Sequence, residues 1–132
     1  MRYMLDTNIC IFLIKKKEQS VLSAFDLKKA EGIAISTIVL AELEYGVCHS
    51  DAYSKNMLNL LSFLTTVEIL DFDSLAAVVY GQIRERLYEK GTPIGNMDML
   101  IAAHAQSLGL TLVTNNTREY ERVENLTIED WL

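Results

Sequence analysis

Four short apolar runs, Tyr3 to Asp6, Ile33 to Ile35, Val67 to Leu70 and Leu110 to Thr114, are separated by stretches whose apolar residues recur at helical spacing. Runs this short and this apolar are buried only when helices cover both faces of the sheet they form. The alternation therefore predicts an α/β fold, a short parallel sheet of four to five strands flanked by helices. The chain has 132 residues, 50% of them hydrophobic, with a single proline and no Gly/Ser/Pro-rich linker. That suffices for a real core, and residues 1–132 are expected to form one domain.

Local signals place the elements. Thr7 reads as the N-cap of a helix from Ile9 to Lys16, whose closing lysines suit a helix C-terminus. A second helix covers Val21 to Ala30 and stops near Gly32. Ser36 or Thr37 caps a third, which ends near Gly46. Met57, Leu58, Leu60, Leu61 and Leu64 give residues 53–65 a helical period. Asp73-Ser74 caps a long helix from Leu75 to about Lys90. Asn96 caps another from Met97 to Leu108, closed by Gly109. A weak last strand is expected at Leu126 to Ile128.

Three carboxylates stand at the boundaries of these elements. Asp6 ends the first strand, Glu42 sits within Ile38-Val39-Leu40-Ala41-Glu42-Leu43, and Asp98 opens Asp98-Met99-Leu100-Ile101-Ala102-Ala103. A carboxylate among apolar neighbours is costly unless a hydrogen bond, a cation or a metal compensates it. In a parallel α/β fold ligands gather beyond the carboxyl ends of the strands, and this is where all three arrive. Helical geometry turns Glu42 inward on the apolar face of its helix. Singly, each has a plain structural reading: Asp6 as a cap or Asx-turn, Glu42 as an ion pair with an Arg, Asp98 as a dipole-favoured first-turn acid. Together they favour a shared hard cation, with Mg²⁺ or Mn²⁺ preferred over zinc because oxygen is the only donor on offer. Asn116 or Glu119 are candidates to complete the site, and the Thr7 and Thr114 hydroxyls to orient water. His104 reads as a packed, hydrogen-bonded core histidine.

The net charge of −6 argues against broad adhesion to nucleic acid and favours a small footprint. Local basic clusters remain, and Lys15, Lys16, Arg84 and Arg86 are candidate contacts to a nucleic-acid backbone. Cys10 and Cys48 lack metal-site spacing, and Cys10 reads as a small core residue. No apolar run approaches a membrane span and no signal-peptide pattern opens the chain, so a cytoplasmic protein with no membrane contact is expected.

These residues also carry a family resemblance. Met4-Leu5-Asp6-Thr7-Asn8 resembles the opening motif of a PIN domain, and Ser36 to Gly46 its second. Gly91 to Ala105 and Leu112 to Tyr120 resemble the third and fourth, and the likeness runs down to Ile128-Glu129-Asp130-Trp131. The chain is similar to the VapC toxins of bacterial toxin–antitoxin pairs, in particular the enteric-type members. The resemblance implies a three-layer PIN-like fold and a Mg²⁺- or Mn²⁺-dependent endoribonuclease, with Asp6, Glu42 and Asp98 in the acidic metal-site roles. It implies a VapB-type antitoxin, a homodimer, and cleavage of initiator tRNA in its anticodon loop. Asn116 stands where many members carry Asp, with Glu119 close behind.

Three other readings compete. A DNA nuclease would use the same acids. A phospho-accepting receiver domain would use Asp71 and Asp73 after the third strand, yet the first strand offers one acid rather than a pair and no Lys follows Leu110 to Thr114. A silent binding module would not need intact acids.

Overall fold

Strand β1 (Tyr3–Leu5) occupies the middle of a five-stranded sheet whose order is β3-β2-β1-β4-β5. Its neighbours are β2 (Ile33–Ser36) and β4 (Thr111–Val113), with β3 (Glu68–Leu70) and β5 (Ile128–Glu129) at the edges, and every pairing is parallel. The computed structural model describes all 132 residues. The chain builds β1, β2 and β3 outward on one side, then returns to place β4 on the other side of β1. The strand order thus reverses between β1 and β4, and the crevice at their carboxyl ends is the natural ligand position of such a sheet.

Helices α1 (Thr7–Lys15), α2 (Gln19–Lys28), α3 (Thr37–Cys48), α4 (Tyr53–Leu64), α5 (Ser74–Glu89), α6 (Asn96–Leu108) and the single turn α7 (Thr117–Tyr120) surround the sheet. The central strands are apolar on both faces because helices cover both: Met4, Leu5, Ile35 and Leu112 are fully buried. Helix α6 contributes Met99, Ile101, Ala102, Ala103 and Ala105 to the same continuous core. Gly109 closes α6 in the left-handed conformation (φ 66°), which costs glycine no Cβ clash. Gly32 (φ 94°) enters β2 beside the chain start, where a Cβ would lie 2.8 Å from Met1 Cα. No helix is long and apolar enough to cross a membrane.

Several boundaries differ from the sequence reading. Asp6, not Thr7, caps α1: its carboxylate accepts from the Thr7 amide at 2.9 Å, so the helix starts two residues earlier than Ile9. Helix α6 starts at Asn96, and its N-cap is Gly95, without a side-chain cap. Helix α3 continues through Gly46 to Cys48, because burial of Val47 outweighs the roughly 1 kcal/mol that a mid-helix glycine costs. Strand β5 starts at Ile128 rather than Leu126, in register with Leu112 and Val113. Strand β3 is an edge strand, which leaves Asp71 at the rim, and Asp73 is occupied in capping α5 through the Ala76 amide. The receiver-like reading has no acidic pocket there.

Leu112, fully buried between β1 and β5, and Leu58, 68% exposed on α4, give a direct test of this core. Leu112→Ala is expected to lower unfolding free energy by about 2–5 kcal/mol, and Leu58→Ala by less than about 0.5 kcal/mol. Urea denaturation measures both, and comparable losses would contradict the assignment of the core.

Candidate active site

Asp6 leaves the end of β1 into the crevice where the strand order reverses, and is 5% exposed. Its Oδ1 accepts from the Thr7 amide, and its Oδ2 accepts from the Thr114 hydroxyl at 2.8 Å. Thr114 follows β4, so this bond ties together the two strands that flank the crevice. Asp98, in the first turn of α6, reaches the same place and is half-buried. The Tyr120 hydroxyl lies between the two acids, 3.1 Å from Asp98 Oδ1 and 3.4 Å from Asp6 Oδ1. A phenol has one proton, so it can donate to only one of the two carboxylates at a time.

Glu42 comes from α3. It is half-buried rather than turned fully inward as the helical geometry suggested, since its neighbours Ala41 and Tyr45 face solvent. What fixes it is a 2.6 Å hydrogen bond from the Thr7 hydroxyl to its Oε1. Asn116 and Glu119 form the opposite rim. The Asn116 side-chain amide donates to Glu119 Oε2 at 3.1 Å, and its backbone amide donates to the Thr114 hydroxyl at 3.0 Å. The fold thus gathers Asp6, Glu42, Asp98, Thr7, Thr114, Asn116 and Glu119 at one crevice.

The electrostatics of this crevice are unbalanced. Burial, and then the charge of Glu42, push the Asp6 carboxyl above its usual range against the hydrogen bonds that favour its charge. Burial and the neighbouring Asp6 push Asp98 up to about 6, with Glu119 and Glu42 adding to the repulsion. Burial and the same two aspartates raise the Tyr120 phenol far enough that it remains a permanent donor. The ion pairs of the protein, Arg2–Glu31, Lys28–Glu129, Lys29–Asp26 and Lys90–Glu124, all lie elsewhere. Mutually repelling acids without a protein cation suit a hard divalent ion. The acids converge without closing, for no three of them are drawn tightly enough to chelate an ion as they stand.

Tyr120 escaped the sequence reading. A fully buried tyrosine needs a partner for its hydroxyl, but nothing in a four-residue turn such as Thr117–Tyr120 signals that the partners are two distant aspartates. His104 is the packed, hydrogen-bonded core residue expected, 2.8 Å from the Ser36 hydroxyl. The basic candidates are more scattered. Lys15 lines a groove of about 280 Å³ between α1, α3 and α4 that also borders Glu42. Lys16 is exposed beyond α1. Arg84 donates to the Tyr80 hydroxyl and lies over the Tyr88 ring, and Arg86 is exposed on the same helix.

Comparison with known proteins agrees with this geometry. A family model described as the PIN domain matches residues 3–126. The tRNA(fMet)-specific endonuclease VapC of Shigella flexneri is 47% identical over 131 residues, covering 99% of this chain and 98% of that one. The chain belongs to the VapC family of PIN-domain proteins. Ribonuclease VapC2 of Rickettsia felis is 48% identical over 132 residues, with 99% of this chain and 98% of that one covered. A crystal structure of VapBC2 from Rickettsia felis, bound to a DNA fragment from their promoter, matches with a TM-score of 0.95 at 46% identity, covering 100% of both chains. The three-layer PIN-like fold expected from the motifs is the one these relatives adopt.

The Asp98 shift has a measurable sign. The folded state holds this proton more tightly than the unfolded chain does, so its contribution to stability is full below about pH 4 and is lost as pH rises through about 6. With divalent ions chelated at pH 7, Asp98→Asn is expected to be more stable than the native chain. The gain is of the order of 1 kcal/mol after allowing for solvent screening of a half-exposed group, or about 3–5 °C in Tm. At pH 4 the two should melt together. A destabilised Asn variant at pH 7 would contradict the repulsion inferred here.

Proposed function

We propose that this chain is a Mg²⁺- or Mn²⁺-dependent endoribonuclease, acting as the toxin of a VapB–VapC-type pair on initiator tRNA. The observation that carries the reading is the set of uncompensated acids, Asp6, Asp98 and Glu42, at the crevice between β1 and β4. Support for the substrate comes from the Shigella flexneri relative, whose name specifies tRNA(fMet). Support for the partner comes from relatives solved as VapB–VapC complexes, including one from Salmonella typhimurium. Glu42 lines the groove between α1, α3 and α4, so an antitoxin segment laid along it would meet that acid. Homodimerisation rests on the family resemblance.

In this reading Asp6 and Asp98 hold the cation. A bound Mg²⁺ or Mn²⁺ supplies charge neutralisation and Lewis-acid polarisation at the scissile phosphate. The chain's own residues do the rest. Thr114 and the Thr7 amide hold both oxygens of Asp6, so its orientation is set before any ligand arrives. Thr7 fixes Glu42, which either shares the cation or orients and deprotonates the attacking water. Water adds in line to phosphorus as the bond to the 3′ oxygen breaks, leaving a 5′-phosphate and a 3′-hydroxyl. Tyr120 limits repulsion between the aspartates by donating to one of them. Lys15, at the groove beside Glu42, is the best placed of the basic candidates to meet the RNA backbone, with Lys16, Arg84 and Arg86 further contacts. An exposed RNA loop suits the crevice because its unstacked nucleotides can enter.

Total bacterial tRNA incubated with the protein and Mg²⁺ or Mn²⁺ tests this. Single-site cutting of one tRNA is expected, abolished by chelator and reduced at least about 100-fold by Asp6→Asn or Asp98→Asn. Cutting that survives both substitutions would sink the mechanism, and cutting of DNA in preference to tRNA would replace the substrate.

A further inference from the structure

Beneath the acidic crevice lies a polar contact that the reaction does not use. Ser36 ends β2 and caps α3, and His104 sits on α6 six residues after Asp98. Both are fully enclosed, at 0% and 1% exposure, so neither can meet a substrate and a serine-nucleophile role is excluded. Their contact at 2.8 Å is a buried polar bridge between the helix that carries Glu42 and the helix that carries Asp98.

The protonation pattern is determined by the partners. The Ser36 hydroxyl oxygen accepts from the Ile38 amide at 3.0 Å, which leaves its proton free to donate. Burial lowers the proton affinity of His104, so the ring is neutral. With its proton on Nε2, the neutral ring presents Nδ1 as the acceptor for Ser36. The ring is further held edge-on by Phe72, at 5.5 Å between centroids and 74° between planes. Phe72 in turn donates its amide to the Thr37 hydroxyl at the start of α3. Together these contacts tie the start of α3 and the middle of α6 to the 71–73 connection.

A buried neutral hydrogen bond contributes little net stability, and an apolar pair of the same shape would do nearly as well. What the polar pair adds is direction: it accepts one distance and one ring orientation, where an aliphatic contact accepts many. We infer that Ser36 and His104 are positioning residues that set the spacing between Glu42 and Asp98, and through it the affinity of the acidic crevice for a divalent cation. The inference rests on the metal-dependent reading above. Neither residue is hydrogen-bonded to an acid of the crevice, so the loss expected lies at the low end of the about 10–100-fold that partners bonded directly to metal ligands contribute.

The test is Mn²⁺ binding, followed by electron paramagnetic resonance of the free ion, beside thermal unfolding of each variant. His104→Leu and Ser36→Ala are expected to bind Mn²⁺ about 10-fold more weakly. His104→Asn, which can place an acceptor near the Nδ1 position, should recover most of that loss. Val21→Ala, a cavity at the one buried residue of α2, a helix that packs chiefly on α1, serves as the stability control and should bind as the native chain does. If His104→Leu fails to fold, Ser36→Ala decides the matter, since it removes only a hydroxyl. Native affinity in a folded Ser36→Ala or His104→Leu, an equal loss in Val21→Ala, or no recovery in His104→Asn would each overturn the inference while leaving the metal reading intact. Failure of the native chain itself to bind Mn²⁺ would overturn both.

Discussion

The carboxylate of Asp6 is buried at the carboxyl end of the central strand with hydrogen bonds on both oxygens and no cation beside it, and much of the architecture follows from keeping it there. Its backbone continues β1 by donating to Val113, its side chain starts α1, and its far oxygen fastens β4 through Thr114. One residue thus terminates a strand, initiates a helix and pins the neighbouring strand. Asp98 is then brought against it from α6, which adds repulsion, and the Tyr120 hydroxyl from α7 relieves it only in part by donating between the two acids. Proteins accept local strain of this kind mainly where a ligand will later remove it.

Topology explains why the cost falls at this spot. With β1 central and the chain crossing back to β4, the carboxyl ends of both strands open into one crevice, while α3 and α6 begin close enough to lower their acids into it. The threonines settle the rest. Thr7 and Thr114 each spend a hydroxyl on one acid, so Glu42 and Asp6 are oriented by short bonds rather than by packing alone. Asp98 has only the Tyr120 phenol, and it is the acid whose proton affinity is pushed to about 6. Asp6 is thus held on both oxygens, and Asp98 through one phenol on a helix whose position is fixed elsewhere.

The sequence made the parallel sheet legible because β1, β2 and β4 are apolar but for Ser36 and Thr111 at their ends, a pattern that helices on both faces require. It made the acids legible because Asp6 and Asp98 interrupt apolar surroundings at element boundaries. The boundaries themselves were harder. Thr7 looks like a cap, since Ser, Thr and Asp all serve there, and only the structure shows Asp6 taking the amide while Thr7 turns to Glu42. Helical periodicity turned Glu42 inward because it registers apolar neighbours, not the edge of the protein, and Tyr45 beside it is 67% exposed. Tyr120 and the Ser36–His104 bridge join residues 68 or more positions apart or separate helices across the crevice, contacts that local pattern does not encode.

Diffraction from crystals soaked in Mn²⁺, recorded for its anomalous signal, tests the central claim most directly. The account predicts one strong anomalous peak at coordinating distance from the Asp6 and Asp98 carboxylates, with Tyr120 no longer bridging the two. A crevice without a peak at saturating Mn²⁺, or an ion bound elsewhere while Tyr120 still bridges the acids, would contradict it.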